Sequence, residues 1–360
     1  MNSLELFQSS FQKDPNVIAS AHGRVNLIGE HTDYNNGYVF PTPIPQSIEV
    51  SISARKDDEI VGVSEEFGKI SSTISSAKDG TWMDFIKGGL HFIKQISPSM
   101  RGIDITVSST VPPGSGLSSS AALETALLRA LLKLNNLSIQ NEEIARLGQQ
   151  IEHQFVGTQC GIMDQMASAC GEFGNAIFLD CENLQTKSLP LFSDHDFVVI
   201  HSGSNRKLSQ GKYNERKSET TKAAEILQVP SLRHASLDQL SKIQDPTIQK
   251  RAKHIISEND RVMKAFSCLK NNDANQFGEL MILSHQSMKT DYEISSQELN
   301  QVVSSAINNG ALGARLTGAG FGGCVVILSS NQHTKSLIET ILVECPQSYW
   351  VTTISKNLNP

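Results

Sequence analysis

The sequence contains no CxxC pair. Its six cysteines, Cys160, Cys170, Cys181, Cys268, Cys324 and Cys345, stand apart from one another, which argues against a structural zinc site. No stretch approaches 18 consecutive apolar residues, so no membrane-spanning helix and no membrane partner are expected. The first residues, MNSLELFQSSFQKDPN, hold no apolar run flanked by positive charge, and no secretory signal is expected. The cysteines are therefore expected as free thiols in a reducing cytoplasm. Basic charge is also in short supply. Lys and Arg total 31 against 37 Asp and Glu, a formal net charge of -6. The pair Arg216-Lys217 sits between Glu215 and Glu219, so no basic face for nucleic acid is expected.

What is present is an ordinary globular composition, 39% apolar and 19% charged. A chain of 360 residues exceeds the usual reach of one hydrophobic core, and two domains are expected. IEVSIS (48–53) and IDITVS (103–108) alternate with the period of half-buried strands. An Ala- and Leu-rich segment at 118–134 predicts a helix. Ile144, Leu147, Ile151 and Phe155 predict a second. NAIFL and FVVIH return to strand character. The polar stretch 202–219 leads into a mostly helical pattern up to about Ile307. A glycine-rich turn, a strand CVVIL, a helix near 336–343 and a last strand YWVTTI follow. The pattern predicts an α+β protein with a boundary near residue 195, giving domains 1–195 and 196–360.

Three segments carry chemistry. In VPPGSGLSSSAALETALLRALLKL (111–134) two prolines end a strand, and Gly114 and Gly116 permit a tight loop with backbone close to a ligand. Ser118, Ser119 and Ser120 fall where loop becomes helix, and a helix start offers free N–H groups to phosphate. A plain serine N-cap is the alternative, but one cap needs one serine. No Gly-Lys-Ser/Thr follows, so this is not a Walker A loop. In LTGAGFGGCVVIL (316–328), Gly318, Gly320 and Gly323 formally match a dinucleotide-binding G-x-G-x-x-G. That fingerprint needs a strand before it and a helix after it. Here a helical pattern precedes and a β-rich run follows, which speaks against an oxidoreductase. Four glycines in six residues still favour close backbone approach. In ASAHGRVNLIGEHTDYNNGYVFP (19–41), Arg24, Glu30, His31 and Asp33 flank the apolar run 25–28, and Asn35-Asn36-Gly37 is a turn signal. Polar groups bunched in this way suit several hydroxyls of a sugar.

GRVNLIGEHTDYNNGYVFP resembles the galactokinase signature. GSGLSSSAALE resembles the phosphate-binding motif of the GHMP kinase superfamily, and LTGAGFGGCVV its third motif. TWMDFIKG (81–88), IEHQFVGTQCGIMDQMAS (151–168), YNERK (213–217) and SHQSMKTDYEISSQEL (284–299) also fit the galactokinase pattern, in family order. The resemblance implies the two-lobed GHMP kinase fold, with a mixed sheet and helices in the N-terminal lobe and a ferredoxin-like C-terminal lobe. It implies transfer of the γ-phosphate of ATP to the anomeric hydroxyl of galactose, by a monomer or weak homodimer. Family roles carry over to matching positions. Asp164 faces the anomeric hydroxyl, with Arg24 as its cationic companion. Glu30, His31, Asp33, Gly161 and Tyr213 contact the sugar. Gly114, Ser115, Gly116, Leu117, Ser118, Ser119 and Ser120 form the phosphate loop, and Trp82 lies against adenine. Ser120 and Glu152 are the implied magnesium ligands. A carboxylate that accepts the hydroxyl proton and a cation that relieves charge are what phosphoryl transfer asks of a protein.

The sequence departs from the family pattern at His22, where proline is common, at Thr42-Pro43, and at 218–220. None of these changes removes a charged catalytic group. A kinase for N-acetylgalactosamine or another sugar is one rival reading. A non-catalytic galactose sensor is another, but it would be expected to have lost the phosphate loop or the Arg24 and Asp164 pair.

Overall fold

The computed structural model describes residues 1–204 and 209–358. The chain forms two compact units. One comprises 1–23, 45–112 and 118–170. The other comprises 24–44, 113–117 and 171–360.

The first unit opens with helix α1 (Ser3–Phe11), started by a capping box between Asn2 and Glu5. Strands β1 (Val17–Asn26), β3 (Pro41–Ala54), β4 (Glu59–Ser64), β5 (Gly68–Thr73) and β6 (Ile103–Ser109) form a five-stranded sheet in the order β1-β3-β6-β4-β5. The sheet is mixed: β6 runs antiparallel to β3 and parallel to β4. The alternating segments 48–53 and 103–108 pair directly, Val50 opposite Val107 and Ile52 opposite Ile105. Four helices complete this unit: α2 (Met83–Ile96), α3 (Ser119–Leu134), α4 (Asn141–Ile151) and α5 (Met163–Cys170). Helix α3 is buried on nearly all sides from Ala121 to Leu132, as a helix rich in Ala and Leu on every face must be. The expected helix through Phe155 ends as α at Ile151 and continues as a single π turn, Glu152–Val156. That widening is frequent at functional positions.

The second unit holds a small antiparallel sheet of β2 (Tyr38–Val39), β7 (Asn175–Asp180) and β8 (Thr186–Pro190). It also holds a four-stranded antiparallel sheet of β9 (His195–His201), β10 (Gly313–Thr317), β11 (Cys324–Ser330) and β12 (Tyr349–Ile354), in the order β10-β11-β9-β12. The helices are α6 (Ser209–Leu227), α7 (Pro246–Lys270), α8 (Ala274–Thr290), α9 (Gln297–Asn308) and α10 (Thr334–Glu344). Val198, Ile200, Val325 and Ile327 of the sheet share one core with Leu299, Val302 and Ala306 of α9 and Leu337 and Ile341 of α10. Helix α7 starts where Asp245 accepts from the N–H groups of Thr247 and Ile248, with Pro246 in its first turn. Helix α8 meets β10 backbone to backbone. A Cβ on Gly278 would lie 2.3 Å from the Leu312 carbonyl, and one on Gly313 would lie 2.5 Å from the Gly278 carbonyl.

One expectation is corrected. The helical pattern does not run into the glycine-rich turn, because α9 ends at Asn308 and strand β10 intervenes. The glycines therefore join two antiparallel strands, with Leu316 opposite Val325. A loop of that kind has no helix N-terminus to offer a pyrophosphate, so the dinucleotide reading fails on its second requirement.

Candidate active site

In the first unit the loop before α3 delivers its serines in an unusual way. Ser118 has φ 62, in the left-handed region, and its side chain makes no cap bond to the helix. Its hydroxyl instead donates to Asp164 Oδ2 at 2.6 Å. A plain N-cap thus does not describe Ser118. Asp164 lies in the first turn of α5, two turns from the helix end at Cys170, just after Gly161. Ser120 and Thr158 hydrogen-bond to Glu152, the first residue of the π turn.

Behind these residues sits Glu124, which no sequence motif singles out. It is fully buried on α3. Gln165 Nε2 donates to its Oε2 at 3.1 Å. Burial pushes the Glu124 carboxyl well above the usual range, and the nearby Glu152 pushes it further. Burial raises Glu152 as well, against hydrogen bonds with Ser120, Thr158 and Glu124. The only hint in the sequence was a lone carboxylate in an otherwise apolar helix. Trp82 precedes α2 and packs its ring over Gly62 of β4, where a Cβ would lie 2.6 Å from the indole. Its Nε1 is buried and finds no acceptor among the described residues.

In the second unit, Arg24 ties down the chain at Gly116 and Leu117. Its backbone N–H donates to the Leu117 carbonyl at 3.0 Å, and its Nη1 donates to the Gly116 carbonyl at 2.8 Å. Gly114 and Gly116 have φ of 65 and 79, conformations in which a side chain would be strained. Ser115 between them is buried.

The segment after β1 is held by buried charge. Glu30 is 1% exposed. Its Oε1 accepts from the Gly318 N–H at 2.6 Å and lies 3.7 Å from Arg315, and Asn26 Nδ2 donates to its Oε2. At the preceding residue, the N–H of Gly29 donates to Glu258 Oε1 at 2.9 Å. Glu258, buried on α7, also accepts from Ser284 and Arg261, each at 2.6 Å. Burial pushes this carboxyl up most strongly, yet Arg261, His254, Arg315 and the Ser284 hydroxyl outweigh it and bring it down to about 2. Arg315 is completely buried between Glu30 and Glu258 and donates to the Asn26 carbonyl at 3.1 Å. Neither Glu258 nor Arg315 was singled out in the sequence, because each sits in an unremarkable helix or strand pattern.

His31 has φ 63 and lies in an aromatic cluster. Its ring centroid is 5.4 Å from Tyr213 and 4.9 Å from Tyr292, while Tyr34 and Tyr213 meet edge to face at 5.3 Å. His31 and Tyr213, far apart in sequence, are thereby brought together as expected. Asp33 begins the short 3-10 turn that follows, and its carbonyl accepts from Asn36 N–H. Asn36 has φ 56, and Gly37 leaves no room for a Cβ beside Asn259. The turn expected at 35–37 is therefore built around these two residues. Gly318, Gly320, Gly322 and Gly323 all have positive φ, and so does Phe321.

The first unit has a strand-loop-helix without a Walker lysine and a mixed sheet, and the second has an antiparallel four-stranded sheet. Residues 84–172 match the N-terminal domain of GHMP kinases and residues 265–345 match their C-terminal domain. Residues 5–54 match the galactokinase galactose-binding signature. The galactokinase of Actinobacillus succinogenes is 36% identical over 99% of this chain and 98% of its own. That of Haemophilus influenzae is 36% identical over 94% and 92%. The crystal structure of Lactococcus lactis galactokinase complexed with galactose superposes with a TM-score of 0.90 at 33% identity, covering 96% of each chain. The chain belongs to the galactokinase family of the GHMP kinases and has their fold.

Proposed function

We propose that this sugar kinase transfers the γ-phosphate of ATP to the anomeric hydroxyl of galactose. The observation that carries the reading is the hydrogen bond from Ser118 to Asp164. It couples the phosphate loop to the carboxylate that the family pattern assigns to the reacting hydroxyl. Asp164 accepts the proton of that hydroxyl through the oxygen chemistry open to an ionised carboxylate, and Ser118 fixes its rotamer. Arg24 supplies positive charge for the transferring phosphoryl group, and its hold on Gly116 and Leu117 keeps the loop 114–120 in shape. Glu30, His31, Asp33, Gly161 and Tyr213 contact the sugar. A carboxylate has about four acceptor sites, so Glu30 keeps capacity for a sugar hydroxyl beyond its bonds to Asn26 and Gly318. Trp82 faces adenine.

Ser120 and Glu152 suit a magnesium ion. Glu152 Oε2 is buried and reached by no N–H or O–H donor among the described residues, and a hard oxygen of this kind is what the ion takes. When bound, magnesium neutralises charge on the ATP phosphates.

The same reading divides the chain into lobes near residue 195 and treats it as a monomer or weak homodimer. No helix among the described residues is long and apolar enough to cross a membrane. The co-substrate is ATP, which supports a place in the cytoplasm. The test is a coupled assay of ADP release with a panel of sugars. Galactose should give the highest kcat/KM. A preference for N-acetylgalactosamine, or no ADP release with any sugar, overturns the proposal.

A further inference from the structure

The polar atoms of His31 have definite partners. Its Nε2 lies 3.2 Å from the Ala319 carbonyl oxygen, and its Nδ1 lies 2.7 Å from the Tyr34 hydroxyl. The Tyr34 hydroxyl in turn lies 2.8 Å from that of Tyr292, a residue with no exposure at all. A carbonyl oxygen can only accept, so Nε2 carries a proton. In the neutral ring Nδ1 must then accept, which makes Tyr34 the donor to it. The single hydrogen of Tyr34 being spent, its oxygen accepts from Tyr292. Every direction in the chain from Tyr292 to Tyr34 to His31 to Ala319 follows from the carbonyl at its end. A second proton on the ring would reverse the first two links and leave the Tyr292 hydroxyl hydrogen with no acceptor among the described residues. Such a buried unmet donor is disfavoured.

We propose that Tyr34 and Tyr292 are positioning residues that hold His31 as its Nε2–H tautomer and fix the orientation of its ring beside Tyr213. The proposal rests on the placing of His31 among the sugar contacts. It also gives a reason for the backbone of His31, since φ 63 is an uncommon conformation for a residue with a side chain and a ring anchored at both nitrogens can hold it. The Ala319 end ties the same ring to the glycine-rich turn.

The test uses the full chain labelled with ¹⁵N-histidine, read by long-range ¹H–¹⁵N correlation. A His31→Asn sample identifies the His31 signals among the ten histidines. The wild-type ring should show a pyrrole-type Nε2 and a pyridine-type Nδ1. Tyr34→Phe keeps the ring and removes the hydroxyl, so the two nitrogens should move toward an averaged tautomer mixture. One lost hydrogen bond of this kind corresponds to a rise in galactose KM of about tenfold, with kcat and the KM for ATP changed by less than about twofold. Tyr292→Phe breaks the chain one link further out and should give the same pattern more weakly. It also serves if Tyr34→Phe does not fold by circular dichroism. A protonated Nδ1 in the wild-type ring overturns the proposal. So does a folded variant whose galactose KM is unchanged, whatever its tautomer. If the wild-type protein phosphorylates no galactose, the functional reading fails by that result alone, while the spectra still decide the tautomer.

Discussion

Replacing Glu258 by glutamine removes one negative charge and almost no volume from the middle of the second unit. The wild-type carboxylate accepts from the Gly29 N–H, the Ser284 hydroxyl and Arg261, and lies 3.9 Å from Arg315. The amide can still accept from Gly29, but its NH₂ turns donors toward Arg261, and Arg315 loses one of its two counter-charges. The carboxyl is held at about 2 against an ordinary 4.5. By linkage that depression corresponds to about 3 kcal/mol of stability at neutral pH. Breaking a buried pair by removing one partner costs about 3–5 kcal/mol, a comparable figure. Because the folded pKa is lowered, the contribution is complete above the unfolded value of 4.5 and is lost as pH falls toward 2. Urea unfolding of both proteins across pH 7 to pH 2.5 is the assay. The wild-type advantage should be about 3 kcal/mol at pH 7, flat down to pH 4.5, and shrink steadily below that. Taking the difference between two proteins cancels the other carboxylates. Galactose KM should rise as well, since Gly29 leads directly into Glu30 and His31. A variant within about 0.5 kcal/mol of wild type at pH 7, the scatter typical of neutral surface changes, refutes this account of the network. So does a stability difference that grows on acidification.

Asp164→Asn should lower kcat by about 10²–10⁴ while galactose still binds by calorimetry, and a nearly fully active, folded variant counts against a proton-accepting role. Arg24→Lys keeps a charge but loses the planar fork that holds Gly116, so kcat should drop at an unchanged pH optimum; wild-type rates would reduce Arg24 to a point charge. Excess chelator should abolish turnover and added magnesium restore it, and Ser120→Ala should raise the magnesium-ATP requirement with galactose binding intact. Normal ATP kinetics in that variant, with galactose affinity lost, would place the serine elsewhere.

Local features were legible wherever the chain repeats its own rule. Alternation at 48–53 and 103–108 marked two strands that pair with each other. Ala and Leu on every face marked the buried helix α3. Positive φ at Gly318, Gly320, Gly322 and Gly323 is what four glycines in a row of six announced. Strand β10 was hidden because GARLT is short and sits beside a strong helical pattern. The hairpin of β4 and β5 was hidden because its outer strand alternates polar with polar residues. At the site, residues with a family motif around them were found, and those defined only by distant neighbours were not. Glu258 matters because Gly29, 229 positions earlier, donates to it. Tyr292 matters because of Tyr34. Glu124 looks like any exposed helix carboxylate until α3 is seen to be buried. Nothing in a local window carries such information. The short stretch 205–208, part of the polar segment read before α6, lies outside the described residues.

The partition of the chain into interleaved segments bears on how the protein is made. Every segment of the first unit has been synthesised by Cys170, but residues 24–44 and 113–117 belong with 171–360. Glu30 leaves the ribosome early and meets the Gly318 N–H only 288 positions later. At about 5–20 residues per second that is a wait of roughly 15–60 s. Over that interval the nascent chain carries a carboxylate and an apolar run, Val25 to Ile28, whose permanent surroundings do not yet exist. A ribosome stalled between Cys170 and Arg315 would release a polypeptide with every segment of the first unit and an orphaned sugar signature. Such a product is a natural client for holding chaperones and proteases, and a quality-control system needs no knowledge of catalysis to tell it from the complete enzyme.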